Sequence, residues 1–211
     1  MTTRDTTERA AAGRAYAGRR PDERRADRHG KLLDAGLEVF GAVGWEEASI
    51  ALLCATARVG TRAFYEEFDS REQLLLEVAT TIVLDGVEAM QTALASAPPT
   101  LQAKVEAGLA AYVGHLSADP RRARVVYRAV PGAGRLLRDR HRTSLAFAQV
   151  IAEQAAATGL PTAAGSDPSL LALALTGAVA ELLGWWASST PTPPVEPVVA
   201  ELVRLFVAAL R

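Results

Sequence analysis

Between Val59 and Phe68 the chain reads VGTRAFYEEF, which sets a hydroxyl, a guanidinium and a phenol (Thr61, Arg62 and Tyr65) within less than two helical turns. On a helix advancing about 100° per residue, Thr61, Arg62, Tyr65 and Glu66 share an arc of about 140°, whereas Ala63, Phe64 and Glu67 fall elsewhere. Phe64, with Val59 and Phe68, is suited to hold the helix to its neighbours, so the polar arc is the free one. These side chains can read DNA. Arg62 can pair bidentately with guanine O6 and N7, Thr61 can donate to a base or touch a thymine methyl, and the Tyr65 hydroxyl suits a phosphate oxygen.

The difficulty is charge. Glu66, Glu67 and Asp69 follow at once, and residues 31–75 hold four basic groups (Lys31, Arg58, Arg62 and Arg71) against eight acids. A domain that bound DNA by bulk electrostatics would not carry that balance. Two accounts stay open. Either acids such as Asp34, Glu38, Glu67 and Glu72 lie off the groove side, or an N-terminal arm supplies the charge through Arg19, Arg20, Arg24, Arg25 and Arg28, as homeodomain arms do in a minor groove. Glu66 either accepts from cytosine N4 or points at water, with water preferred.

The elements that must position these residues are helices. Residues 1–24 read as a flexible basic arm, and residues 1–30 hold eight arginines against five acids. From Asp27, Leu32, Gly36, Val39, Phe40 and Val43 recur at helical spacing, and Gly44 is a natural stop. Ser49 can N-cap a short helix with Ile50, Leu53, Cys54 and Ala57 inside, and its free amides suit a phosphate. A third short helix starts near Gly60, so residues 49–68 describe a helix-turn-helix. A long helix follows from about Ser70 and ends at Pro98-Pro99. Further helices are expected over residues 101–117, from Asp119-Pro120 to Pro131-Gly132, over 134–158, from Asp167-Pro168 to about Ser188, and over 195–210, about nine in all. No strand pattern or glycine-rich phosphate loop occurs.

Composition agrees with an all-α chain. Of 211 residues 49% are hydrophobic and only 6% aromatic, a mixture that favours helices packed on helices. Formal net charge is −1, so the chain as a whole does not advertise a polyanionic partner. Cys54 is the sole cysteine and cannot form an internal disulfide; on the apolar face of its helix it reads as a small packing residue. The polar start lacks the apolar centre of a secretory signal, and no apolar run approaches the ~20 residues of a membrane span, so a cytoplasmic protein is expected. His29, His115 and His141 show no metal spacing, no catalytic group is found and no cofactor is expected.

The stretch Arg28–Val78, with the ordered elements LLDAGLEVFGAVGW, SIALL, VGTRAFYEEF and SREQLL, resembles the DNA-binding domain of TetR-type transcriptional regulators. The resemblance implies that Thr61, Arg62 and Tyr65 face the groove, that Ser49 stands where a hydroxyl residue caps the second helix, and that Arg71 stands where the family carries a phosphate-binding lysine. With Arg28 and Gly60 these make the expected DNA-contacting set. Two departures touch the turn. The family commonly has glycine where Arg58 stands, which costs turn strain, and a hydroxyl residue where Gly60 stands.

The resemblance further implies residues 25–85 as the DNA-binding domain and 86–211 as an all-helical domain that dimerises and encloses an effector. The effector site is expected between the long helix and the helices at 101–117 and 134–158, with Tyr112, His115, Tyr127, Phe147 and Trp185 as candidate liners. Eight arginines from Arg121 to Arg142 against Asp139 alone suit an anionic effector or a solvated face. The helix at 168–188 has almost no polar face, and its small residues Ala172, Ala174, Gly177 and Ala178 admit a close partner. With Val199, Leu202, Val203, Phe206 and Leu210 of the last helix it is expected to form a homodimer interface that places two recognition helices on a palindromic operator. The expected function is a repressor released by a small molecule. The alternative is a helical small-molecule binding protein with an inactive DNA-binding part, which the acidic 31–75 region favours.

Overall fold

The computed structural model describes residues 21–127 and 167–210. Among these residues there are eight α-helices and no strand, so the protein is all-α: α1 (Pro21–Glu47), α2 (Ile50–Ala57), α3 (Thr61–Glu67), α4 (Arg71–Ser96), α5 (Leu101–Ser117), α6 (Pro120–Tyr127), α7 (Pro168–Ser188) and α8 (Glu196–Ala209). The helix expected over 134–158, the stop at Pro131-Gly132 and Phe147 lie outside the described residues.

α1 begins earlier than its apolar period suggests. Proline occupies its first position and Asp22 and Glu23 its first turn, a sequence that suits the positive end of the helix dipole. Residues 21–24 are therefore helical and not part of a flexible arm. Gly44 takes φ 79° and ψ 180° inside this span, which breaks the helix where the sequence places a stop. Val43, expected inside, is exposed just before that break.

The N-terminal module closes around a few large side chains. Leu32 of α1, Leu53 of α2, Phe64 of α3 and Leu74 of α4 have no exposed surface. Burying each contributes about 1.5–3 kcal/mol relative to leaving it in water. Ser49 caps α2 by accepting from Leu52 N at 3.1 Å. α2 ends at Arg58, which holds the left-handed conformation at φ 55° and ψ 42°. Gly60 precedes α3 in extended geometry and supplies no side-chain cap.

α4 leaves this module and continues into the second. Ser70 caps it, Thr100 caps α5, and Asp167 caps α7, each accepting from an amide two or three residues on. α4 packs on α5 closely because two glycines permit it. A Cβ on Gly86 would lie 2.9 Å from the Tyr112 ring, and one on Gly108 would lie 3.2 Å from Leu94. α6 wedges among α1, α4, α5 and α7, and α8 covers α5 and α7.

Two expectations about the last helices need correction. Ser169–Ser188 is, by length and composition, apolar enough to cross a membrane, contrary to the reading that no run approaches that length. One charge, Glu181, in a run of Ala, Leu, Val and Trp produces this, and the helix packs on α6 and α8 through Leu175, Val179, Leu183 and Trp186. In α8, Leu202, Val203, Phe206 and Leu210 are buried within their own chain and are not available to a partner. The same holds for Ala172 on α7.

Candidate nucleic-acid interface

α3 presents the expected polar arc to solvent. Thr61, Arg62, Tyr65 and Glu66 are all exposed, and the Arg62 side chain is 94% exposed. The opposite arc carries Phe64, which meets Phe68 at 5.9 Å and is sealed in the core. Thr61 also reaches the turn: burial pushes the Cys54 thiol above its ordinary value, and a hydrogen bond from Thr61 works in the opposite direction. The thiol is thereby kept neutral and buried, in keeping with a packing role.

The acids divide. Glu67 sits on the inner arc with its side chain only 2% exposed, and α1 supplies its counter-charges. Arg25 Nε donates to Glu67 Oε2 and Arg28 Nη2 to Glu67 Oε1, both at 3.1 Å. His29 lies beside them. Its Nδ1 is 3.8 Å from Glu67, its Nε2 is 2.6 Å from Glu77 of α4, and its ring stacks on Phe68 at 5.0 Å. A buried carboxylate needs such partners, because leaving it unpaired in the interior is costly. Glu66, one residue earlier, is on the free arc and meets Arg62 at 3.2 Å.

This arrangement corrects the arm account for two of its arginines. Arg25 and Arg28 belong to α1 and neutralise Glu67 from behind. Arg19 and Arg20 lie outside the described residues. Arg71, expected at a phosphate, donates from Nη1 to the carbonyls of Trp45 at 3.2 Å and Ala48 at 2.7 Å. Its guanidinium also rests 4.0 Å over the Trp45 ring. It thus closes the frayed end of α1 beyond Gly44 against α4. The clamp on Glu67 was missed in the sequence. The signal was its place on the inner arc between Phe64 and Phe68, where a carboxylate demands a cation.

The second module brings together three of the five expected liners. Tyr112 and Tyr127 share a hydrogen bond at 2.9 Å. Burial pushes the Tyr112 phenol up, while the Tyr127 bond works in the opposite direction. His115, one turn along α5, takes Arg122 Nη1 at its Nδ1 at 3.4 Å, and the same nitrogen donates to the His115 carbonyl at 2.8 Å. Burial and the Arg122 charge lower the imidazole below its ordinary value, with Asp85 acting the other way. An arginine can only donate, so Nδ1 is the acceptor and Nε2 bears the hydrogen. That Nε2 is shut off from water, and a hydrogen bond with the Ile82 backbone acts in the same direction as Asp85. Trp185 does not join them. It is 58% exposed, because the register of α7 turns its neighbour Trp186 inward, where Nε1 donates to Pro193 O at 2.8 Å.

Of the arginine run, the described members are committed within the chain. Arg121 grips Asp119 at 2.8 Å, Arg122 holds His115, and Arg124 reaches the Gly41 carbonyl of α1 at 3.5 Å. A Cβ on Gly41 would lie 2.5 Å from that of Arg121, so α1 and α6 touch backbone to backbone. Among the described residues no group of three His, Cys, Asp or Glu side chains is placed to hold a metal ion.

The N-terminal module is a helix-turn-helix with a free polar arc, joined by one long helix to a second helical bundle. Residues 32–78 match the family described as bacterial regulatory proteins, tetR family. No curated protein matches the chain. Among solved structures, the fatty acid degradation regulator FadR from Bacillus halodurans aligns over 92% of this chain and 98% of its own at 16% identity, with a TM-score of 0.75. FadR from Bacillus subtilis, in complex with stearoyl-CoA, aligns over 86% and 98% at 16% identity, with a TM-score of 0.74. A TetR-like transcriptional regulator from Rhodococcus sp. aligns over 87% and 95% at 23% identity, with a TM-score of 0.63. The N-terminal module thus matches the tetR-family model, and over the aligned length the fold is similar to that of solved TetR-type regulators.

Proposed function

We propose that the protein is a homodimeric repressor that binds a palindromic operator through α3 and is released by a small-molecule effector held among α4, α5 and the helices that follow. The observation that carries the DNA-binding part is the free arc of α3, where Thr61, Arg62 and Tyr65 project together while Phe64 and Glu67 hold the helix from behind. Ser49 and the exposed amides of α2 supply a neutral phosphate contact. Arg71 and Arg28 support this face through α1 and Glu67.

The dimer rests on α7. Leu170, Ala174, Gly177, Glu181 and Trp185 form one exposed stripe along its length. Pro197, Ala200, Arg204, Leu205 and Ala208 form the exposed face of α8. Two such helices and their copies make a two-fold interface whose symmetry matches a palindrome.

For release, α6 is, beside the continuous α4, a contact between the effector region and the DNA-binding module. Its end, Tyr127, meets Tyr112, and its start lies on Gly41. An effector that moves α6 shifts α1 with it, and a few kcal/mol of differential affinity releases DNA. The FadR likeness makes a long-chain acyl-CoA the first effector to try. Replacing Gly41 by alanine forces α1 and α6 apart, and we expect it to weaken the effect of the effector on operator affinity.

The test is selection of random duplex DNA by the purified protein, followed by titration of the selected duplex in the presence of acyl-CoA. An enriched palindrome lost in Arg62→Ala supports the regulator. No enrichment at any salt concentration overturns it in favour of a helical binding protein with an inactive DNA-binding part.

A further inference from the structure

We infer that Glu66 is a specificity-determining residue of the reading face, holding Arg62 so that its two terminal nitrogens, and not Nε, are offered to a guanine. The inference rests on the DNA-binding reading above. Glu66 Oε1 accepts from Arg62 Nε at 3.2 Å, one helical turn away on α3. Its other oxygen, Oε2, lies 3.8 Å from Arg28 Nη2 on α1. Arg28 is itself fixed by the buried carboxylate of Glu67 at 3.1 Å. The chain therefore runs from the core outward: Glu67 places Arg28, Arg28 draws one oxygen of Glu66, and the other oxygen takes Arg62.

Two consequences follow from the atoms used. With Nε occupied, the free donors of Arg62 are the terminal pair, a fork that matches guanine O6 and N7 end-on. In water an exposed pair of this kind contributes little to stability. Once α3 sits in a groove and water is displaced, the lower dielectric strengthens the same contact, so orientation is enforced where it is needed. The carboxylate also repels phosphate. A helix out of register on the duplex brings Glu66 towards the backbone and is penalised, which is specificity through rejection of the wrong complex. This accounts for an acid set directly beside the basic reading residue.

The experiment uses the full-length protein and the operator it selects. Affinities are measured for that operator, for the operator changed at the guanine whose preference disappears in Arg62→Ala, and for an unrelated duplex. In Glu66→Gln we expect discrimination at that guanine to fall about tenfold, within the range one bidentate contact supplies. Affinity for the unrelated duplex rises as a negative charge is removed. Combining Glu66→Gln with Arg62→Ala costs no discrimination beyond Arg62→Ala alone. Glu66→Asp, which keeps the charge and shortens the reach, loses discrimination without the rise in non-specific binding. Undiminished discrimination in Glu66→Gln overturns the inference. So does a changed preference at a different base pair, which would make Glu66 a reader of cytosine in its own right. If the wild-type protein selects no operator, the DNA-binding reading itself fails, and that result is distinct from both.

Discussion

α3 and α7 each leave one face uncovered, and the two faces are opposites. The face of α3 carries a hydroxyl, a phenol and one ion pair, Arg62 with Glu66, along its exposed arc. The face of α7 carries Leu170, Ala174, Gly177 and Trp185, with Glu181 as its one charge. A charged, hydrated surface gains from a partner that is itself charged and grooved, such as a nucleic acid. An apolar stripe with small residues and a large aromatic gains from another protein surface that excludes water. Under the proposed function the first face would meet a polyanion and the second its own copy, and each helix is held by a buried opposite side.

The comparison can be broken or sharpened by substitution. Arg62→Ala should have the largest effect. The loss of one bidentate contact in each half-site removes roughly 2–6 kcal/mol of operator affinity, read by fluorescence anisotropy. Unchanged binding would mean that the α3 face is not the reading surface. Trp185→Glu comes next. A charge in place of the large aromatic at the C-terminal end of the α7 stripe should cost about 2–4 kcal/mol of dimer affinity, read by sedimentation, with helicity retained. A dimer that survives it would remove α7 from the interface.

Glu67→Gln probes the hidden side of α3. It leaves Arg28 without its main counter-charge and should lower unfolding free energy by about 1–3 kcal/mol in urea titrations, with Arg25, which is mostly exposed, adding little. Equal stability would show that the recognition helix is held by Phe64 and Phe68 alone. The smallest effect is expected at His115. Its folded form disfavours the imidazolium, so the unfolded chain binds more protons, and stability is full above the ordinary value of 6.5 and declines as pH falls below it. His115→Gln should flatten that part of the pH–melting curve without touching α3 or α7.

Helix type and the exposed polar arc of α3 were legible because they depend on local period and caps. Ser49, Ser70, Thr100 and Asp167 each stand before an apolar repeat and each is a cap in the structure. The start of α1 was not legible from periodicity, since its first turns carry no apolar repeat and its Arg25 and Arg28 are held by Glu67, a residue 39 positions from Arg28. Trp185 and Trp186 show the same limit. Adjacent aromatics on an all-apolar helix give no sign of which one faces inward until α6 and α8 are in place. The fates of Arg28 and Arg71 also turn on long-range partners, a buried carboxylate and two carbonyl oxygens, which no spacing in the chain announces.

The contact between Arg71 and the end of α1 has a consequence for how the chain reaches this state. The carbonyl of Ala48 finds its donor 23 residues later, in the first turn of α4. Arg71 thus ties the segment after α1 to the first turn of α4, which Ser70 caps locally. The segment between them contains the whole helix-turn-helix. Closing that loop joins the last step of α1 to the first step of α4, so the reading element should form together with the module or not at all, and a half-folded chain with an exposed recognition helix should be sparsely populated.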